Sequence, residues 1–270
     1  MSQSVKEAYL GLKAELSGAV SDADREAKLI LAHVTNYTGS PLFLELSLSA
    51  SQEKALKSII KRRLDMEPLQ YILGEWEFMG LPIKVRKGAL IPRQETEILC
   101  EHALKQAKAN GYRTALDMCC GSGCIGLALN RLGGLEVTAV DISNSCLALA
   151  NENAKRLNAK LNLLAGSYFE PVLGRFELIV CNPPYLSAQD MASLQPELEY
   201  EPKRALFGGE DGLDAYRHIA LKWKDHIALG GRLMLEIGKG QADAVEAIFK
   251  NEAERILDYS KVVRVLSFRA

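Results

Sequence analysis

The sequence predicts an α/β protein: a doubly wound, mostly parallel sheet covered by helices, preceded by a smaller helical domain. Three observations carry this. From Gln94 to the end, short apolar strand-like runs alternate with helix-period segments, the pattern of a parallel sheet with crossover helices. The first ~70 residues show only helical periodicity. At 270 residues the chain suits two domains, one of them small.

Ser4 to Leu16 is amphipathic. Ser21 followed by Asp24 reads as a capping box opening a second helix, with Ala27, Leu31 and Val34 on one face. Gly39, Ser40 and Pro41 break it. Ser49 and Gln52 form a second capping box before Leu56, Ile59, Ile60 and Leu64, and Pro68 is expected to end that helix. Lys61, Arg62 and Arg63 read as a solvated helix face. Between Leu73 and Ile91 the pattern changes. Trp76, Phe78, Leu81, Ile83 and Val85 sit around the turn signal Gly80-Leu81-Pro82, a β-hairpin linking two domains.

The larger domain then reads as helix Thr96 to Ala109, strand Thr114 to Met118, a helix from Ser122 to Leu132, and strand Leu135 to Val140. Helix Ser143 to Leu157, strand Leu161 to Leu164 and strand Phe176 to Val180 follow. Helix Leu213 to Ile227, strand Gly231 to Ile237, helix Gln241 to Lys250 and strands Ile256 to Tyr259 and Val262 to Phe268 close the chain.

Composition narrows the function. The formal charge is −1, which argues against unselective nucleic-acid binding, where neutralised phosphates supply most of the affinity. Met1 to Leu16 lacks the apolar core of a signal peptide, and no run reaches the ~20 apolar residues that span a bilayer. A cytoplasmic protein is expected. The six cysteines fall on core elements without a CxxC pair, as reduced, buried side chains do. The four histidines are scattered, so no metal is expected.

Two segments carry chemistry. The first is Leu116-Asp117-Met118-Cys119-Cys120-Gly121-Ser122-Gly123-Cys124-Ile125-Gly126. Strand, glycine loop and helix let backbone approach a ligand closely, and the next strand ends in Asp141, whose carboxylate can accept from both ribose hydroxyls. Together they indicate a nucleoside cofactor. Gly121, Gly123 and Gly126 also satisfy G-x-G-x-x-G, which leaves a nicotinamide dinucleotide open.

The second segment, Cys181-Asn182-Pro183-Pro184-Tyr185, follows a strand. Two prolines stiffen the turn and remove two N–H donors, so it presents carbonyls. Asn182 adds a side-chain carbonyl and Tyr185 an aromatic face. Convergent acceptors beside an aromatic wall suit a planar NH₂ group. Holding both N–H bonds aims the nitrogen lone pair and stabilises positive charge developing on it. A methyl group on a sulfonium is a fitting electrophile, and neither metal nor strong base is needed.

These motifs resemble the amino-methyltransferases that use S-adenosyl-L-methionine, and within them the HemK-like peptide chain release factor N5-glutamine methyltransferases. The resemblance covers nearly the whole chain. It rests on Glu67 to Gly74, Leu90 to Glu97, the glycine loop, Asn182 to Tyr185, Tyr200-Glu201-Pro202, Ala205 to Leu213, Tyr216-Arg217 and Leu235 to Gly238. It implies a seven-stranded Rossmann-like methyltransferase domain over 94–270. A β-hairpin linker over 74–93 and a helical substrate-recognition domain over 1–73 complete the layout.

The resemblance further implies that Cys119, Cys120, Gly121, Ser122 and Gly123 surround the methionine moiety. Asp141 holds the ribose, Tyr168 lines the adenine pocket, and Arg93 and Glu95 support the pocket from the linker. Asn182 touches both cofactor and substrate. Asn182 and the Pro183 carbonyl hold the glutamine amide between Pro184 and Tyr185, so Asn182, Pro183 and Tyr185 are the catalytic set. The implied substrate is the Gly-Gly-Gln loop of class I release factors, with S-adenosyl-L-homocysteine as product and no membrane or direct nucleic-acid substrate.

The chain departs from the family pattern at Cys119-Cys120, where Gly-Thr is usual, at Gln94 for Pro, at Ser167 for Asp, and in 258–264, which lacks a glycine. The first three are expected to bear on cofactor affinity, not on the Asn-Pro-Pro-Tyr chemistry. Alternatives are glutamine methylation of a ribosomal protein, N6-adenine methylation of nucleic acid, a non-catalytic binding module and a dinucleotide oxidoreductase. The last leaves the Asn-Pro-Pro-Tyr turn without a purpose.

Overall fold

A computed structural model describes residues 3–43 and 46–270. The chain forms two compact units: Met1–Gly74 with Pro196–Tyr200, and Glu75–Gln195 with Glu201–Ala270.

The first unit contains helices α1 (Val5–Leu16), α2 (Ala23–Thr35), α3 (Ala50–Leu64) and α4 (Leu69–Leu73), with short 3₁₀ turns at Pro41–Phe43 and Pro196–Tyr200. Capping boxes open α1 (Ser4 with Glu7) and α3 (Ser49 with Gln52). Helix α2 starts differently from the sequence expectation. Asp22 caps it by accepting from the Arg25 N–H, which leaves Asp24 to bind Lys13, Lys28 and the Tyr9 hydroxyl. Helix α3 stops at Leu64, and Pro68 opens α4 instead of ending α3, the place where a missing N–H costs least.

Leu12, Leu16, Ile30, Leu31, Leu56 and Leu69 are among the side chains filling this unit's core. The basic run on α3 is not uniformly solvated. Arg63 is 2% exposed. Its guanidinium donates to both Glu26 oxygens at 2.7 and 3.0 Å and to Glu197. Such an ion is tolerable in a core only because its donors are satisfied.

The second unit begins with hairpin β1 (Glu75–Phe78) and β2 (Leu81–Lys84). There follow α5 (Gln94–Asn110), β3 (Thr114–Met118), α6 (Cys124–Gly133), β4 (Glu136–Asp141), α7 (Asn144–Arg156), β5 (Leu161–Ala165) and β6 (Phe176–Cys181). Short helices α8 (Ala188–Met191) and α9 (Lys203–Leu206) precede α10 (Asp214–His226), β7 (Ile227–Glu236), α11 (Ala242–Phe249), β8 (Glu254–Leu257) and β9 (Val263–Arg269). The sheet order is β5-β4-β3-β6-β7-β9-β8. It is parallel from β5 to β7, and β9 runs antiparallel to both its neighbours. This is the seven-stranded α/β fold the sequence predicts. The short elements α8 and α9 escaped the sequence reading because four residues hold no periodicity.

Helices α5, α6 and α7 pack on one face and α10 and α11 on the other. The second face is closed by Trp223, Phe249 and Phe268, with the two phenylalanine rings stacked at 4.5 Å. The hairpin is tied to α7 by one fully buried amide. Asn153 Oδ1 accepts from Lys84 N at 2.8 Å, and its Nδ2 donates to Lys84 O and to Ser122 O. One side chain thereby fastens both the hairpin and the glycine loop.

Candidate active site

The strand order reverses between β3 and β6, the switch point where crevices form at the carboxyl ends of such strands. Met118 and Cys181 are register partners, so Cys119 and Asn182 leave the sheet side by side. The two motifs that are separate in sequence therefore open into one pocket. Its wall includes Cys119, Gly121, Asp141, Tyr168, Asn182 and Pro184.

The glycine loop is pinned from β4. The Asp141 carboxylate accepts from Gly121 N at 2.8 Å through one oxygen and from Ser143 N at 2.8 Å through the other. Gly121 has φ +54 and nothing within 4 Å of where a Cβ would stand, so its α-carbon faces open pocket. Cys120, Ser122 and Gly123 belong to the loop but do not reach the pocket wall. Cys120 and Ser122 are buried beneath it, and Gly123 caps α6.

On the β6 side, Asn182 Nδ2 donates to Thr96 Oγ1 at 3.0 Å, and Thr96 Oγ1 donates to Glu236 Oε2 at 2.7 Å. Asn182 Oδ1 is buried and has no partner. A buried carbonyl oxygen without a donor is costly, which marks it as an acceptor kept for a ligand. Tyr185 Oη donates to the other Glu236 oxygen at 3.3 Å. Burial pushes Glu236 up to about 7, against the lowering effect of Thr96 and Arg264. Burial likewise raises the Tyr185 and Tyr168 phenols, so both stay neutral. Pro183 and Tyr185 are not in the pocket wall; they shape the turn behind Asn182 and Pro184.

The turn is held from outside by a close-fitting segment. Leu186 N donates to Leu206 O and Gly208 N to Leu186 O. A Cβ on Gly208 would stand 2.6 Å from Pro184 O, and one on Gly212 would stand 2.4 Å from Tyr185 O. Gln241 completes the clamp, its Nε2 donating to Tyr185 O at 2.9 Å. The Ala205-to-Leu213 motif is thus a buttress for Asn182 to Tyr185.

Arg93 and Glu95 do not line the pocket. Arg93 pairs with the buried Glu201, which also accepts from Ile91 N at 2.9 Å. Glu95 lies in the first turn of α5. Sequence reasoning gave no role to several residues the structure brings to the site. Gly88, Leu90, Ile142, Arg204 and Ala205 join the wall, and Ser167, expected from the sequence to bear on cofactor affinity, lies in it beside Tyr168. Thr96 and Glu236 stand behind it. The signal for Glu236 was present: a carboxylate directly after the apolar run Leu233-Met234-Leu235 is rarely buried without a partner.

A carboxylate, an aromatic ring and an exposed apolar side chain (Ile142, 70% exposed) on one wall fit a nucleoside. The orphaned Asn182 carbonyl fits an NH₂ donor beside it.

Residues 94–209 match the methyltransferase small domain family, and residues 7–74 match the PrmC N-terminal domain family. Among solved structures, a methyltransferase from Pyrococcus furiosus is similar in fold, with a TM-score of 0.55 at 16% identity, over 82% of this chain and 98% of that one. Among curated relatives, the release factor glutamine methyltransferase of Thermodesulfovibrio yellowstonii is 41% identical over 90% of this chain and 91% of its own. That of Geobacter sulfurreducens is 42% identical over 85% and 82%. The chain belongs to the release factor glutamine methyltransferase family.

Proposed function

We propose that this chain transfers a methyl group from S-adenosyl-L-methionine to the side-chain amide nitrogen (N5) of the glutamine in the Gly-Gly-Gln loop of class I peptide chain release factors, in the cytoplasm. The observation that carries the reading is the buried, partnerless Asn182 Oδ1 at the pocket wall.

In this reading Asp141, Tyr168 and the Cys119-to-Gly123 loop hold the cofactor. Bound there, S-adenosyl-L-methionine supplies an electrophilic methyl group and leaves as S-adenosyl-L-homocysteine. Asn182 Oδ1 and the Pro183 carbonyl accept from the two N–H bonds of the substrate amide. That fixes the nitrogen's orientation and offsets the positive charge it develops. Pro184 and Tyr185 confine the amide plane. The loss of resonance in an attacking amide is the main obstacle, and two fixed acceptors act on it directly. Residues 1–73 recognise the protein substrate, and the hairpin of 74–93 links them to the catalytic domain. The family membership supports a release factor as that substrate.

The test is labelled methyl transfer to a class I release factor, to the same factor with its loop Gln changed to Ala, and to a DNA duplex. Label on the intact factor alone is the expected result; label on DNA would replace this reading with adenine methylation. Asn182→Ala should bind the cofactor within a few fold of wild type yet lose about 10²-fold or more in turnover.

A further inference from the structure

We propose that Glu236, acting through Thr96, sets which end of the Asn182 amide faces the pocket, and is therefore a positioning residue for methyl transfer. The inference rests on the reading of Asn182 as the acceptor of the substrate amide.

The argument is a count of protons. The Thr96 hydroxyl has one. With Glu236 ionised, that proton goes to Glu236 Oε2, at 2.7 Å. Thr96 Oγ1 can then only accept from Asn182, and the 3.0 Å contact must be an N–H donor. The amide is locked with Nδ2 on Thr96 and Oδ1 left free of any protein donor, available to a substrate N–H. If Glu236 carries a proton, the chain of bonds reverses. The carboxylic acid donates to Thr96, Thr96 donates to the Asn182 carbonyl, and the amide turns its NH₂ outward. A donor then faces a substrate NH₂, which is also a donor, and the productive pose is lost. The second Glu236 oxygen accepts from Tyr185 Oη at 3.3 Å, so the same carboxylate also holds the tyrosine that closes the Asn-Pro-Pro-Tyr turn.

Ionisable groups face Glu236 from several elements. Arg264 on β9 is the cation that favours the charged form, and Glu95 on α5 opposes it. Cys100 on α5, Cys124 on α6 and Cys181 on β6 are buried thiols that stay protonated. Tyr216 on α10 donates to the Glu236 backbone carbonyl at 3.0 Å, leaving the carboxylate alone. Burial outweighs these and brings Glu236 to about 7. For a carboxylic acid with a raised pKa, the charged and competent form is lost as the pH falls through that value.

The experiment measures methyl transfer to a release factor by wild type, Thr96→Val, Thr96→Ser, Glu236→Gln and Asn182→Ala from about pH 5.5 to about pH 9. Cofactor affinity is followed by calorimetry. Wild-type kcat should fall below about pH 7. T96V frees the amide and should lose about tenfold or more in kcat, with both KM values and cofactor affinity unchanged. T96S restores the hydroxyl and should recover to within about threefold. E236Q can still accept from Thr96 but cannot titrate, so its kcat should be flat where wild type falls. Wild-type kcat in T96V, or an acid limb that persists in E236Q, overturns the proposal while an inactive N182A leaves the acceptor reading standing. An active N182A overturns that reading and the proposal with it.

Discussion

Cys119 holds φ +57, a left-handed conformation that a side chain adopts only at a cost. The thiol packs against the core beside the pocket, so removing it has two opposed effects, and comparing two variants separates them. Cys119→Ala and Cys119→Gly both lose the sulfur, but only glycine accepts the backbone angle freely. C119G should therefore be more stable than C119A by about 1 kcal/mol, although glycine has the more flexible unfolded chain. Urea unfolding of the pair measures this directly. Equal stability would mean the loop relaxes to a different conformation once the thiol is gone.

Elements decide how rigidly the Asn-Pro-Pro-Tyr turn is held, and here one missing methyl group matters. Gly208 lies against backbone atoms of Pro184, Gly212 and Tyr185, all within 2.9 Å of where its Cβ would be. Backbone cannot swing aside as a side-chain tip can. Gly208→Ala must push the turn inward or part the segment from it, so kcat should fall by about tenfold or more. The Asp141 contacts to the glycine loop share no atom with this clamp, so cofactor affinity should stay within about twofold. Calorimetry together with single-turnover methyl transfer would show the split; a parallel loss of cofactor binding would mean that the buttress also shapes the cofactor wall. This interaction shows what the sequence conveyed. That Cys119, Gly121, Asn182 and Pro184 share one pocket wall was legible because each lies in a local motif, its chemistry written in consecutive residues. The partners that position them were not. Thr96 and Glu236 are separated by 140 residues, and Asn153 reaches Lys84 across 69. No periodicity or spacing rule links such pairs. Only strand order brings them together.

At the scale of the whole molecule, the sheet buries two carboxylates in a region with little cationic compensation. Asp117 on β3 is fully buried, one oxygen accepting from Gly126 N at 2.8 Å and the other unpartnered. Burial raises it from 3.8 to about 7, and Glu236 on β7 is raised from 4.5 to about 7 in the same way. The linkage has a definite sign. Between the unfolded and folded pKa values the native state keeps a proton that the unfolded state has released. The contribution of each group to stability therefore falls as pH rises from about 4 toward about 7, and levels off above it. Carboxylates with lowered values, such as Glu177 and Asp190, act in the opposite sense, but below their ordinary values of 4.5 and 3.8, outside the range where Asp117 and Glu236 titrate together. Asp117→Asn isolates it, because an amide has nothing to titrate. The unfolding free energy of wild type relative to D117N should decline between about pH 5 and about pH 8 by on the order of a few kcal/mol. Denaturant titrations of both proteins at the two pH values give the difference. A difference that stays flat would mean that Asp117 remains charged in the fold throughout, held by more than the one Gly126 N–H.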